Sequence, residues 1–154
     1  DPAALRAQWT ESRDAMVGED ADPTWKVFGT DADVLFTGSK MGAVNHETAA
    51  KLTVGAVVPH APIPYTARAL AVMQRADIFA VPDFVATAGP LLAKWPTGDA
   101  TPEAVVAAAS EAINSAITDA AGHEDGAFLG ACARAEAFLG SWRDELPFGR
   151  PLAS

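Results

Sequence analysis

A single cysteine, Cys132, stands among 154 residues. That excludes an intrachain disulfide framework and any cysteine-rich zinc or iron–sulfur centre, and it fits a reducing, cytoplasmic setting. Basic residues are also scarce: 11 Lys and Arg face 20 Asp and Glu, a formal charge of -9. A chain this acidic repels phosphate backbones and anionic lipid, so neither nucleic acid nor a membrane surface is expected as a partner. No apolar run approaches the roughly 20 residues of a membrane helix, and residues 1–14 are charged and helical in pattern, unlike the apolar segment of a signal peptide. A soluble protein is expected. The starting Met is absent too, which suggests a chain that is processed, trimmed or part of something longer.

Several chemistries lack their motifs. There is no Gly-x-Gly-x-x-Gly turn and no P-loop, so the backbone donors that usually hold a pyrophosphate at a helix start are missing. No serine sits in a Gly-x-Ser-x-Gly elbow, and Cys132 falls on the apolar face of a helical pattern, where a thiol packs as a small hydrophobe. His46-Glu47 has Ala50 where a helical metal site needs its second histidine, and reads as a polar pair in a first helical turn. His123-Glu124-Asp125, flanked by Gly122 and Gly126, reads as a solvated turn rather than a ligand set. The tryptophans Trp9, Trp25, Trp95 and Trp142 are too scattered to form a base-stacking platform.

What remains is a chain 49% hydrophobic, enough for one substantial core. Residues 3–16 have helical spacing, with Asp1 as cap, Pro2 in the first turn and Leu5, Trp9, Ser12 and Met16 on one face. Three short apolar segments follow: Asp33-Val34-Leu35-Phe36, Val54-Gly55-Ala56-Val57-Val58 and Ile78-Phe79-Ala80-Val81. Continuous rather than alternating apolarity marks buried parallel strands. Between them, residues 45–52 (capped by Asn45) and 65–74 predict helices. Strand and helix thus alternate, the signature of an α/β fold. Beyond Gly89-Pro90 the pattern turns helical, with one helix from Thr101-Pro102-Glu103 through Ile117 and a second carrying Phe128 to Leu139. The expected organisation is an α/β region over residues 1–100, a helical hairpin over 101–141 and an extended tail over 142–154. With Trp142, Leu146 and Phe148, the tail reads as an arm that docks on an apolar surface.

Within residues 33–90, Asp33-Val34-Leu35-Phe36, Asn45-His46-Glu47-Thr48 and Val81-Pro82-Asp83-Phe84-Val85-Ala86-Thr87-Ala88-Gly89 occur in that order. Together they resemble the glutamate/leucine/phenylalanine/valine dehydrogenase family, in register over about 58 residues. The most specific part is Pro82-Asp83 followed by Ala88-Gly89. The resemblance implies a partial Rossmann-like domain with about three parallel strands, lacking its first Gly-rich turn and followed by C-terminal helices. It also implies binding of NAD or NADP while an amino acid is reversibly oxidised to a 2-oxo acid and ammonia. The family's catalytic Lys and Asp lie in an N-terminal substrate domain that this chain does not contain.

Departures cluster where the family's chemistry is. Its strand-end Asn pair corresponds to Pro62-Ile63, whose side chains make no hydrogen bonds, and Pro62 also lacks a backbone N–H. The Asn of its Asn-Ala-Gly-Gly corresponds to Thr87, and the last Gly to Pro90. The loop after the first shared strand reads Thr37-Gly38-Ser39, followed by Lys40 where the family is usually apolar. Carried over residue by residue, the candidate cofactor-binding positions are Gly38, Ser39, Ala61, Pro62 and Thr87, with no catalytic residue and no metal ligand. For Ser39 and Thr87 an equal alternative is a hydroxyl bonded to local backbone. Lys40 reads as a solvated side chain that can meet an anionic ligand beside the strand end.

Two functions follow. One is the C-terminal cofactor-domain portion of an amino-acid-dehydrogenase-like oxidoreductase, inactive as this chain alone. The other is a catalytically silent module that reuses the fold for binding or assembly. In both, a half sheet exposes an edge and a face, so a partner is expected: another chain in a homo- or hetero-oligomer, or the N-terminal portion of the same polypeptide.

Overall fold

The structure, a computed structural model, describes residues 24–38, 40–96 and 98–144, with positions 3, 4 and 7 also helical. The rest of the predicted N-terminal helix, Ser39 and the tail beyond 144 lie outside the described residues. A 3-10 helix, Thr24–Gly29, leads into β1, Val34–Thr37. Then come α1 (His46–Ala49), β2 (Ala56–Pro59), α2 (Ala67–Arg75) and β3 (Phe79–Ala80). Four helices complete the order: α3 (Asp83–Ala86), α4 (Gly89–Lys94), α5 (Pro102–Ala121) and α6 (Ala127–Gly140).

The three strands form one parallel sheet in the order β1-β2-β3, as strand–helix alternation predicts. Leu35 pairs with Val57 and Val57 with Ala80, which sets these side chains in one row on one face. There they join a core of Val44, Ala49, Val54, Tyr65, Ala69, Met73 and Ile78, drawn from the strands, α1, α2 and their flanks. Val34, Ala56 and Phe79 make the row on the opposite face. Among the described residues that face is covered at one end only. Phe79 packs on a second cluster in which Val85 of α3 meets Ala116 and Ala120 of α5 and Ala127 and Ala131 of α6. At the far end Val34 is 42% and Phe36 69% exposed, so the continuous apolarity of β1 is not matched by burial on both faces. Two short helices, α3 and α4, occupy the stretch after β3 that the sequence pattern left unassigned.

Caps explain where the crossover helices start. Asn45 Oδ1 accepts hydrogen bonds from the N–H groups of Glu47 (2.9 Å) and Thr48 (3.0 Å), while Thr48 Oγ1 accepts one from Asn45 N–H (2.9 Å). This reciprocal box, worth about 1 kcal/mol, starts α1 one residue after Asn45, as expected. The helix stops at Ala49, short of the predicted 52. In α2 the cap is Thr66, whose Oγ1 accepts from Ala69 N–H, and Ala69 and Met73 bury the face four residues apart. Its end is a Schellman motif: Ile78 N–H donates to Met73 O (2.9 Å) and Asp77 N–H to Gln74 O (3.2 Å). Asp77 takes the left-handed conformation there, at φ 56°.

The α5–α6 hairpin owes its closeness to small residues. A Cβ on Gly130 would sit 2.6 Å from Ala120 O and 2.7 Å from His123 Cβ, so the backbone of α6 lies almost on that of α5. The Arg134–Asp119 ion pair at 3.0 Å is half exposed on both sides and contributes little. Among the described residues no helix is long and apolar enough to cross a membrane.

Tyr65, 7% exposed, places its hydroxyl 3.0 Å from the carbonyl oxygens of both Val57 and Val81. Burial, with a smaller contribution from the negative charge of Asp83, holds this phenol well above its ordinary value, so it stays a neutral donor. Stability linked to it is therefore full below the ordinary phenol range near pH 10 and declines as pH rises from there towards the raised value.

Two outcomes are expected. Gly130→Ala costs about 1–3 kcal/mol in urea unfolding, whereas Gly140→Ala, with nothing within 4 Å of the new methyl, causes no loss. Tyr65 is the only tyrosine in the sequence, so tyrosinate difference absorbance reports it alone. The folded chain should ionise above the ordinary phenol range, and the urea-unfolded chain within it.

Candidate functional site

Because the strands are parallel, their carboxyl ends share one edge of the sheet, where open α/β sheets place their ligand crevices. Each strand hands over to a loop there: Gly38 after β1, His60 to Ile63 after β2, and Pro82-Asp83 after β3. His60 N–H donates to Thr37 O at 2.9 Å and extends the β1–β2 pairing by one step. The loops then close on one another. A Cβ on Gly38 would lie 2.7 Å from Ala61 N, 2.9 Å from Ala61 Cβ and 3.0 Å from His60 Nδ1. Only glycine allows that approach.

Beyond this contact the two loops pair. Gly42 N–H donates to Ile63 O (2.8 Å), Val44 N–H to Pro64 O (2.9 Å) and Thr66 N–H to Val44 O (3.1 Å), around a Val44–Tyr65 parallel bridge. Ile63 is held at φ 53°, a conformation costing a β-branched residue about 1–2 kcal/mol. A compensating bond fixes it: Ile63 N–H donates to Asp83 Oδ2 at 2.7 Å, and Asp83 is itself 8% exposed at the start of α3.

The carboxyl edge opens into a cleft of about 460 Å³ between the 3-10 helix, the end of β1 and α1. Phe28 and Phe36 supply aromatic wall, Gly38 the floor beside β2, and Lys40, Thr48 and His60 polar groups. No carboxylate is among its described lining residues. Thr53 Oγ1 donates to Thr30 O at 3.0 Å, which ties the segment after the 3-10 helix to the loop before β2.

The positions singled out by resemblance separate. Gly38 and Ala61 are in contact, and Gly38 lines the cleft. Pro62 follows as an exposed residue without an N–H to offer. Thr87 does not join them: its hydroxyl donates to Asp83 O at 2.7 Å, back onto the helical turn it ends. The local-backbone alternative holds for that hydroxyl. Ser39 lies outside the described residues. The resemblance missed Phe28, Thr48 and His60. The histidine had a signal in its place just before Ala61, whereas Phe28 had none.

Other candidates carry no site chemistry. His46 and Glu47 are exposed in the first turn of α1. Asp125 N–H donates to His123 Nδ1 at 3.2 Å, so that histidine closes the turn between α5 and α6. Among the described residues no group of three or more His, Cys, Asp or Glu side chains is placed to hold a metal ion. Cys132 is partly buried; desolvation first, then the charges of Glu136 and Asp83, raise its thiol pKa and disfavour the nucleophilic thiolate.

No protein-family model and no curated protein sequence matches the chain. Its fold is similar to solved amino-acid dehydrogenases. The L-tryptophan dehydrogenase of Nostoc punctiforme superposes with a TM-score of 0.66 at 17% identity, over 85% of this chain and 42% of that one. The leucine-bound, hetero-hexameric glutamate dehydrogenase of Thermus thermophilus superposes with a TM-score of 0.65 at 23% identity, over 84% of this chain and 35% of that one. The class is thus a partial Rossmann-like α/β fold similar to part of these two enzymes, and the chain spans less than half the length of either neighbour.

Asp83→Ala should lower stability by about 1–3 kcal/mol in urea unfolding, since it removes a charge-assisted acceptor from a strained residue. Asp83→Asn keeps an acceptor oxygen and should lose less than half of that.

Proposed function

We propose that this chain is the cofactor-domain portion of an amino-acid-dehydrogenase-like oxidoreductase, taking NAD or NADP at the carboxyl edge of its sheet together with polypeptide outside this chain. The observation that carries the reading is a dehydrogenase-like parallel sheet whose β1 and β2 ends, locked at Gly38 and Ala61, open into a cleft with aromatic walls, the Lys40 ammonium, the His60 imidazole and no carboxylate among its described lining residues. Such a lining fits part of a nucleotide: rings find Phe28 and Phe36, and anionic oxygens find Lys40 and His60. It does not supply a Gly-rich turn for a whole pyrophosphate. When bound, the cofactor accepts and returns a hydride. This chain's share is to hold and orient it, because Pro62 and Ile63 carry no polar side-chain atom and the Thr87 hydroxyl commits its proton to Asp83 O.

That same poverty supports a second reading, a catalytically silent module using the fold for binding or assembly. A partner chain or further polypeptide against the exposed Val34 and Phe36 belongs to both readings.

Titration of the purified chain with NADH and with NADPH, followed by nicotinamide fluorescence and calorimetry, separates them. The cofactor reading expects weak saturable binding, with a Kd of roughly 1 mM or tighter, abolished in Gly38→Val. Absence of saturable binding with either nucleotide overturns it and leaves the silent module.

A further inference from the structure

The cleft beyond β1 runs against the charge of the molecule as a whole. The chain carries -9 overall, yet the described residues lining this cleft include Lys40 and His60 and no Asp or Glu. A second cleft, of about 380 Å³ between α2, β3 and the α5–α6 turn, shows the opposite: Asp77, Glu124 and Asp125 line it. Among the described residues, the two clefts thus differ in the sign of the charges that line them. Among the described residues Lys40 has no carboxylate partner. Its ammonium stays available to a ligand.

Distance decides whether the net charge outweighs this local one. At about 0.1 M salt, exposed charges more than about 10 Å away are largely screened, so an anion entering the cleft meets the Lys40 ammonium in its lining, with Glu47 exposed beside the lining residue Thr48, rather than the total. The floor helps. Gly38 brings the His60 ring against the end of β1, with its Nδ1 3.0 Å from where a Cβ would stand, and so seats the histidine at the same strand end from which Lys40 projects two residues later. Phe28 and Phe36 line the same cleft, Phe36 with 69% of its surface open.

We propose that this cleft recognises an oxyanion, a phosphate or a carboxylate group, through Lys40 and His60, with the ligand's flat apolar part against Phe28 and Phe36. The inference deepens the cofactor reading by naming the group the cleft selects, and it uses the same cleft. It requires neither that the anion be part of a dinucleotide nor that the chain be catalytic. Lys40 is then a binding residue exactly where the chain departs from the dehydrogenases it resembles.

Calorimetric titration of the full chain with inorganic pyrophosphate, oxalate and NADH, at low salt and again at high salt, tests it. Pyrophosphate or oxalate should bind saturably, more weakly at high salt. Lys40→Met should weaken binding about tenfold, His60→Gln by less, and Lys40→Arg should restore most of it; Lys94→Met, on α4, should leave it unchanged. Circular dichroism of each variant checks that the fold is kept, which an exposed lysine allows. Pyrophosphate against oxalate tells a phosphate site from a carboxylate site. Failure of both anions to bind, or binding unaltered in Lys40→Met and His60→Gln, overturns the inference. NADH bound equally well by the native chain and Lys40→Met, with neither small anion bound, overturns it too, while the cofactor reading stands. Anion binding that depends on Lys40 without NADH binding leaves the oxyanion site intact and ends the cofactor reading.

Discussion

The hydroxyl of Tyr65 holds the carboxyl edge of the sheet together. β2 and β3 are paired over only two positions, ending at Val57 and Ala80, and the next carbonyl, that of Val81, would otherwise be left without a donor in the core. One phenol satisfies it while also reaching Val57 O, and its ring fills the core between β2 and α2. A buried unpaired carbonyl costs about 1–3 kcal/mol, a large share of what a small domain has in reserve. The backbone of the same residue is bridged to Val44, so the side chain anchors the sheet and the main chain anchors the loops.

From that anchor the site follows in steps. With Tyr65 fixed, Ile63 must turn through a left-handed conformation to reach it, and the Asp83 carboxylate secures the turn. Ile63 in turn fixes Gly42, and Gly38 settles against Ala61. The carboxyl edge is thus rigid at β2 and β3, where backbone and core groups consume the polar atoms. Among the described residues it opens past β1, and there the lining carries Lys40, His60 and aromatic rings. Polar groups are spent on structure at one end of the edge and line an open cleft at the other.

The two faces of the sheet are made differently. Facing α1 and α2, branched and long side chains such as Val57 and Met73 interlock in a conventional core. Facing α5 and α6, alanines and Gly130 let backbones approach closely, with Val85 and Phe79 as the larger members. Close approach of small residues gains dispersion contacts but covers little area. The hairpin therefore shields only the β3 side, and Val34 and Phe36 stay open. The dehydrogenase-like fold is present as a portion, consistent with its coverage of less than half of each neighbour's length.

Much of the fold was legible in the residues, because local rules dictate it. Apolar runs of strand length at 33–36, 54–58 and 78–81, Asn45 as a cap and Thr101-Pro102-Glu103 as a helix start depend on sterics and hydrogen bonds within a few residues, and the strands and helices formed within two or three positions of those signals. The contact of Gly38 with Ala61 was foreshadowed only through resemblance. Three things needed the tertiary structure. The Thr87 hydroxyl bonds to Asp83 O because α3 forms there, and a four-residue helix gives too weak a periodic signal to read. Phe28 shares a cleft with Lys40 and His60 because the 3-10 helix, the end of β1 and the loop after β2 are brought together. The exposure of Phe36 depends on how far α5 and α6 reach across a sheet that they cover at Phe79 of β3. The sequence by itself determined the elements, since these are set by neighbours along the chain; which side chains share a cleft was decided only when distant segments were brought together, through contacts that no local pattern encodes.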